Sequence, residues 1–115
     1  MTKLGIARRL KRLAKQLALD HWNFELIVEE SDLRDAAGCE AKPEYFDARI
    51  FVNVAKVTDA EIDEYLVHEL LHCHVWELTH LAEKLATTDT EREAIRMAEE
   101  RLTTQLERLL APRLT

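Results

Sequence analysis

The chain has 115 residues, of which 47% are hydrophobic and 33% charged, and its formal net charge is −6. This length predicts one domain spanning residues 1–115, with enough apolar residues for a core. No apolar run approaches the length of a membrane span, and the amino terminus lacks the apolar stretch and cleavage site of a secretory signal, which speaks against membrane and secreted classes. Cys39 and Cys73 are far apart and form no Cys-x-x-Cys pair, so we expect a reducing, cytoplasmic location.

The first predicted element is an amphipathic helix over residues 3–19, with apolar residues at helical spacing. This segment carries six basic residues and no acidic one, whereas residues 20–115 carry ten basic and twenty-two acidic residues. A basic helix can bind nucleic acid or an anionic surface. We favour packing of this helix against the acidic remainder of the chain, through Leu10, Leu13, Ala14 and Leu17.

Three strands are expected next. Residues 22–28 (WNFELIV) are rich in aromatic and β-branched residues, which is typical of a strand. A loop or short turn follows at residues 31–38, and residues 38–42 are a candidate edge strand that ends before Pro43. Residues 45–54 alternate imperfectly but contain the apolar run Ile-Phe-Val, so we expect the central strand there.

Two helices complete the chain. Thr58-Asp59-Ala60-Glu61 matches a capping box and predicts a helix over residues 59–85. Residues 87–90 interrupt this helix, and a last helix is expected at residues 90–110. The order α-β-β-β-α-α predicts an α+β fold in which helices back a small three-stranded sheet. The predicted buried stripes are Val67, Leu70, Leu71, Leu78, Leu81 and Leu85 in the first of these helices, and Ala94, Ile95, Ala98, Leu102, Leu106 and Leu109 in the second.

The main functional signal is the pattern His-Glu-x-x-His at residues 68–72. Residues four apart lie on the same face of a helix, so His68 and His72 can offer two imidazole nitrogens to one metal ion. Glu69 is adjacent to His68 and can act as a general base on a water molecule at that ion. The pattern therefore predicts a zinc hydrolase.

A catalytic zinc site needs a third protein ligand. The extended pattern His-Glu-x-x-His-x-x-Gly-x-x-His is excluded, because Val75 and Leu78 stand where it requires glycine and histidine. His74 lies on the apolar stripe of its helix, which is more typical of a core histidine than of a ligand. His80 falls two residues too late for the extended pattern and remains a minor alternative.

A carboxylate from the last helix is the other solution, as in the His₂Glu site of thermolysin. Glu91 is aligned with the predicted apolar stripe, whereas Glu93 points to the opposite side. A carboxylate on a buried stripe is costly without a partner, so we favour Glu91 as the ligand over Glu93. The alternative is that Thr88 and Glu91 form a capping box at the start of the helix.

Over about residues 58–98 the chain resembles the zincin metallopeptidases and, within them, the gluzincins. It is similar to minimal single-domain forms, to short His-Glu-x-x-His proteins found among prophage genes and, more distantly, to ImmA-like proteases. Glu91-Arg92-Glu93-Ala94, which begins nineteen residues after His72, matches the Glu-x-x-small motif that provides the third ligand in many gluzincins. Many gluzincins have an aspartate four residues after that glutamate to brace a zinc histidine, but this chain has Ile95. The bracing group is therefore not identified.

The resemblance implies a minimal zincin-like domain in which an edge strand holds extended substrate beside a central strand and two zinc-binding helices follow. Residues 39–42, 45–54 and 59–110 match these roles.

These observations predict a cytoplasmic zinc-dependent endopeptidase. His68, His72 and Glu91 would bind Zn²⁺, and Glu69 would carry the proton from water to the leaving amine. Tyr45, Tyr65 and His80 are the polar candidates for stabilising the oxyanion.

Two other functions remain open. One is a binding module that keeps zinc for stability and recognises a protein or, less favoured, a nucleic acid through the basic first helix. The other is a hydrolase or hydratase with a non-peptide substrate. The presence of Glu69 favours catalysis over a purely structural zinc site, because metal binding does not need it. We expect a protein or peptide substrate and no membrane partner, and the sequence does not predict an oligomeric state.

Overall fold

A computed structural model describes residues 1–114 and has an α+β fold, as predicted. Short 3₁₀ turns at Pro43–Tyr45 and Ala111–Arg113 accompany the main elements. In chain order these are α1 (Lys3–Gln16), β1 (Asn23–Glu29), β2 (Ala37–Lys42), β3 (Asp47–Asn53), α2 (Ile62–Leu85) and α3 (Asp89–Leu110).

The three strands form one mixed sheet in the order β1-β3-β2. β3 is central, parallel to β1 and antiparallel to β2, so that Ile50 lies between Leu26 and Cys39. Ile50 and Val52 are fully buried, which explains why this strand takes the position with neighbours on both sides. The expected central and edge strands are therefore confirmed, and no strand within residues 1–114 covers the outer edge of β2.

The helix α1 packs on the rest of the chain as expected. Its apolar face is buried in the cluster that also contains the sheet and the first half of α2. On its polar side, Arg9 forms an ion pair of 3.1 Å with Asp59, and Arg12 forms one of 3.1 Å with Asp63. The basic helix thus neutralises part of the acidic remainder of the molecule.

The start of α2 differs from the prediction. The hydroxyl of Thr58 donates to Glu61 Oε1 at 2.6 Å, and the backbone N–H of Glu61 donates to the carbonyl of Thr58 at 3.1 Å. These bonds close a separate turn, and the helix begins only at Ile62. The end of α2 at Leu85 is as predicted.

The second half of α2 and most of α3 lie outside the core. Leu78, Leu81 and Leu85 are 73%, 55% and 75% exposed, so the prediction that they are buried is wrong. The physical reason is length, because α2 extends beyond the sheet and only α3 packs alongside it there.

The buried face of α3 also differs from the prediction. Ala94, Ala98, Leu102 and Leu109 are exposed. The face with less exposure is one residue further along, a rotation of about 100° about the helix axis. It consists of Ile95, Glu99, Thr103, Leu106 and Leu110, and it turns Glu99 and Thr103 towards the core.

Within residues 1–114, no helix combines the length and the apolar character needed to cross a bilayer.

Candidate metal centre

The structure brings His68 and His72 of α2 to one carboxylate of α3. His68 Nε2 lies 2.8 Å from Glu100 Oε1, and His72 Nε2 lies 3.3 Å from Glu100 Oε2. The two imidazole rings are 5.0 Å apart between centroids, as expected for residues four apart in a helix. In the described part of the chain, this is the one group of three or more metal-binding side chains with ligand atoms within 4.8 Å of one another.

Each histidine also meets a second carboxylate of α3 through its other ring nitrogen. His68 Nδ1 lies 2.9 Å from Glu107 Oε1, and His72 Nδ1 lies 3.2 Å from Glu99 Oε1. A histidine whose Nδ1–H donates to a carboxylate keeps the lone pair of Nε2 for a metal and has a fixed ring orientation. Glu99 and Glu107 thus occupy the positions in which carboxylates that brace metal-binding histidines are found, and the sequence did not identify them.

The electrostatic setting of His72 favours the protonated ring when no cation is present. Burial acts to lower the pKa of His72, but the hydrogen bond with Glu99 and the charges of Glu69 and Glu100 outweigh it, so the pKa is raised. A metal ion binding at Nε2 must displace that proton. The same carboxylates that raise the proton affinity also attract a divalent cation.

Glu69 is the buried acid of the site. It is 7% exposed, and its Oε2 atom has no hydrogen-bond partner in the described part of the chain. Burial raises the pKa of Glu69, although the positive charges of His72 and His68 act to lower it. A buried carboxylate oxygen without a partner is costly, which is typical of groups retained for chemistry rather than for stability.

The structure does not bring Glu91 to the histidines, and the carboxylate of α3 that lies beside them is that of Glu100. Glu91 lies in the first turn of α3, nine residues from Glu100, or about 13 Å along the helix. Its Oε1 atom accepts hydrogen bonds from the backbone and hydroxyl of Thr87 and from the hydroxyl of Thr88, and these bonds lower the pKa of Glu91. The backbone N–H of Glu91 donates to Thr88 Oγ1 at 3.1 Å. The capping alternative is therefore confirmed.

The other candidate ligands also lie apart from the cluster. Glu93 is exposed, and Arg96 contacts its carboxylate at 3.5 Å. His74 Nε2 bonds to the carbonyl of Leu17 and so ties α2 to the end of α1. His80 lies eight residues after His72, about 12 Å further along α2.

The polar candidates for the oxyanion separate in the same way. Tyr65 lines the cleft beside His68 and Glu69. Tyr45 is exposed on the 3₁₀ turn between β2 and β3. Only Tyr65 of the two is therefore positioned to contact a group bound at the cluster.

The two cysteines contact each other next to the site, since Cys73 follows His72 directly in α2. Cys39 Sγ of β2 lies 3.9 Å from Cys73 Sγ of α2, and both are free thiols. The contact with Cys73 and burial raise the pKa of Cys39 well above its ordinary value. Cys73 is 3% exposed and packs in the core as a small apolar residue.

The register of the helix pair was the missed sequence signal for Glu100. Residues 86–88 connect two antiparallel helices, so a residue some fifteen positions before the connection lies opposite one at a similar distance after it. This places the region around residue 101 beside His72 and the region around residue 106 beside His68.

Comparison of the chain with protein-family models, curated proteins and solved structures finds no match.

Proposed function

We propose that this protein is a zinc-dependent metallopeptidase of the gluzincin type, with His68, His72 and Glu100 as the metal ligands and Glu69 as the general base. One observation carries the proposal. Two imidazole Nε2 atoms and one carboxylate converge on a point beside a buried glutamate that follows the first histidine directly in sequence.

The donor set fits zinc. Two neutral imidazoles and one carboxylate form the His₂Glu set of catalytic zinc sites, which leaves a fourth position for water or substrate. Hydrogen bonds from Nδ1 to Glu107 and Glu99 would strengthen the histidines as ligands. A structural zinc site would instead be closed by four protein ligands, whereas the cluster of residues within 1–114 has three.

The residues around the cluster suit hydrolysis of an amide bond. A zinc ion held there would polarise the scissile carbonyl and lower the pKa of a water molecule. Glu69 would take one proton from that water as the water oxygen bonds to the carbonyl carbon, and would deliver the proton to the leaving amine as the C–N bond breaks. A raised pKa helps Glu69 to hold the proton between these two steps. The hydroxyl of Tyr65 is a candidate donor to the oxyanion.

The edge strand supports a peptide as the substrate. β2 presents an uncovered edge, and Ala36 and Ala37 at its beginning line the same cleft as His68 and Glu69. An extended peptide can pair with such an edge through backbone hydrogen bonds. Its scissile carbonyl would then lie near the cluster.

The test compares metal content and hydrolysis in the same preparations. We expect near-stoichiometric zinc in the native protein and in Glu69→Gln, and hydrolysis of unfolded casein by the native protein alone. A His68→Ala/His72→Ala variant should lose both zinc and activity. Turnover by Glu69→Gln would contradict the general-base role, and equal zinc in the double-histidine variant would contradict the site.

A further inference from the structure

The cleft at the metal centre is strongly acidic. It has a volume of about 430 Å³ and contains no lysine or arginine among its lining residues. The other residues that line it are two alanines, one tyrosine and one histidine. Its five acidic lining residues are Glu61, Glu64, Glu69, Glu100 and Glu107.

Zinc binding leaves part of this negative charge uncompensated. A divalent cation offsets the charge of two of these five carboxylates. Among the five, the acids next to the histidines are Glu69, Glu100 and Glu107. Glu61 and Glu64 lie outside that cluster and remain as charges at the wall of the cleft. Glu69, whose buried Oε2 atom has no hydrogen-bond partner among residues 1–114, also lines this cleft and points to a ligand there.

Glu64 differs from its neighbour in the same helical turn. Asp63 is contacted by Arg9 at 3.7 Å and by Arg12 at 3.1 Å, so α1 neutralises it. Glu64 forms no ion pair within residues 1–114, and Glu61 accepts only the hydroxyl of Thr58 there. The chain thus compensates the acid that faces α1 and leaves without an ion pair the two that line the cleft.

The spacing of these acids matches an extended peptide. Glu64 and Glu61 precede His68 by four and seven residues, so all three share one face of the helix and its preceding turn. Along the axis Glu64 is about 6 Å and Glu61 about 10 Å from His68. An extended chain advances about 3.3 Å per residue, so these distances correspond to two and three substrate residues.

From this geometry we propose that the enzyme selects basic peptides, with lysine or arginine two to three residues to one side of the scissile bond, held by Glu64 and Glu61. The selectivity rests on the proposed metallopeptidase function and specifies its substrate class. The overall charge of −6 acts in the same direction by attracting cationic chains.

The test uses the zinc-loaded protein and a mixture of unstructured decapeptides in which all residue types are equally represented at each position. Mass spectrometry identifies the cleaved bonds. Lysine and arginine should be enriched two or three residues from the cleaved bond, on one side only, and aspartate and glutamate should be depleted there.

Variants assign the preference to residues. Glu64→Gln and Glu61→Gln should each reduce kcat/KM for a lysine-containing peptide by roughly two- to fivefold, the range for one exposed ion pair. Their effect on a matched peptide with glutamine in place of lysine should be small. Glu77→Gln removes the same charge from an exposed position of α2 outside the cleft lining and should change neither rate. Glu64→Lys should abolish the preference for a basic residue at the position two residues from the scissile bond.

Binding provides a readout without turnover. The Glu69→Gln variant, titrated with the same fluorescent lysine peptide, should lose roughly two- to fivefold in affinity when Glu64→Gln is added. The difference should shrink at high salt, because exposed ion pairs are screened.

The two proposals fail in different ways. Cleavage with no basic preference, or a preference that Glu64→Lys leaves unchanged, overturns the selectivity and leaves the peptidase standing. Zinc binding at the cluster without cleavage of any peptide overturns both the peptidase and the selectivity.

Discussion

At the scale of single residues, the candidate metal centre contains carboxylates that make different contacts with the two histidines. Glu100 contacts the Nε2 atoms of both histidines, which is the position of a ligand. Glu99 and Glu107 contact the Nδ1 atoms, which is the position of bracing groups. Glu91, of the same residue type on the same helix, contacts only the threonines of the preceding connection. Position along α3 therefore decides which glutamate can reach the two histidines.

The first prediction compares two isosteric variants. Glu100→Gln should weaken zinc binding by one to two orders of magnitude or more, because it removes the charged ligand of a three-ligand site and bracing residues alone are worth about 10- to 100-fold. Glu91→Gln should leave zinc affinity unchanged. Competition with a chromophoric chelator measures both values. Weaker binding in Glu91→Gln together with unchanged binding in Glu100→Gln would restore Glu91 as the ligand.

The second prediction concerns the stability of the chelated protein as a function of pH. Burial raises the pKa of Glu69 above its value in the unfolded chain, so the folded state resists losing this proton. Below pH 4.5, the ordinary pKa, both states hold the proton and Glu69 costs no stability for this reason. As pH rises above 4.5 the unfolded state ionises first, and the native protein loses stability until the pH exceeds the raised pKa.

Glu69→Gln cannot ionise and escapes this loss. Urea unfolding in the presence of chelator should therefore show the variant gaining stability over the native protein as the pH rises above 4.5. Glu77→Gln, an exposed acid of the same helix, provides the control and should show no such gain. A constant difference between Glu69→Gln and the native protein at all pH values would show that the glutamate is not held at a raised pKa.

At the scale of secondary-structure elements, α3 is held mainly by polar contacts. Thr103 is its one buried residue within the described chain, and the acids on the face towards α2 meet the two histidines. A helix with so little buried apolar area gains little from the hydrophobic effect. A metal ion bound by both α2 and α3 would supply the missing stabilisation.

The third prediction follows from this weak packing. Removal of zinc by a chelator should speed amide hydrogen exchange in α3, because the linkage between the helices is lost and the like charges of its acids remain. The central strand β3, buried in the apolar cluster, should keep its protection. Hydrogen exchange followed by mass spectrometry measures both segments in one experiment. Equal acceleration in β3 would mean that zinc stabilises the whole domain rather than the helix pair, and no change in α3 would contradict a shared ion.

At the scale of the whole molecule, the charges are arranged in opposite ways on the two sides of α2. On one side the basic helix α1 pairs with Asp59 and Asp63. On the other side the acids of the cleft have no basic partner among the residues that line it. The acids on the side of α1 are therefore neutralised, whereas those at the cleft are not. This asymmetry is the basis of the proposed preference for basic peptides.

Much of the architecture follows from the sequence alone. The α+β class, the central position of the strand that contains Ile50, and the buried face of α1 are all encoded by local apolar patterns, which depend on few neighbours. The shared face of His68 and His72 follows from helical spacing in the same way. Each of these features involves one element or its nearest neighbour.

Only the tertiary structure decided which groups meet the histidines. The apolar stripe of α3 suggested that Glu91 was turned inwards, but α2 extends past the sheet and leaves that stripe in solvent, as the exposed Leu81 and Leu102 show. The rotation of α3 and its register against α2 bring Glu99, Glu100 and Glu107 to the two imidazoles instead. Local periodicity describes the faces of a helix, whereas the choice between two faces depends on the length and packing of the neighbouring helix. That choice separates a glutamate that caps its helix from one that meets the two histidines.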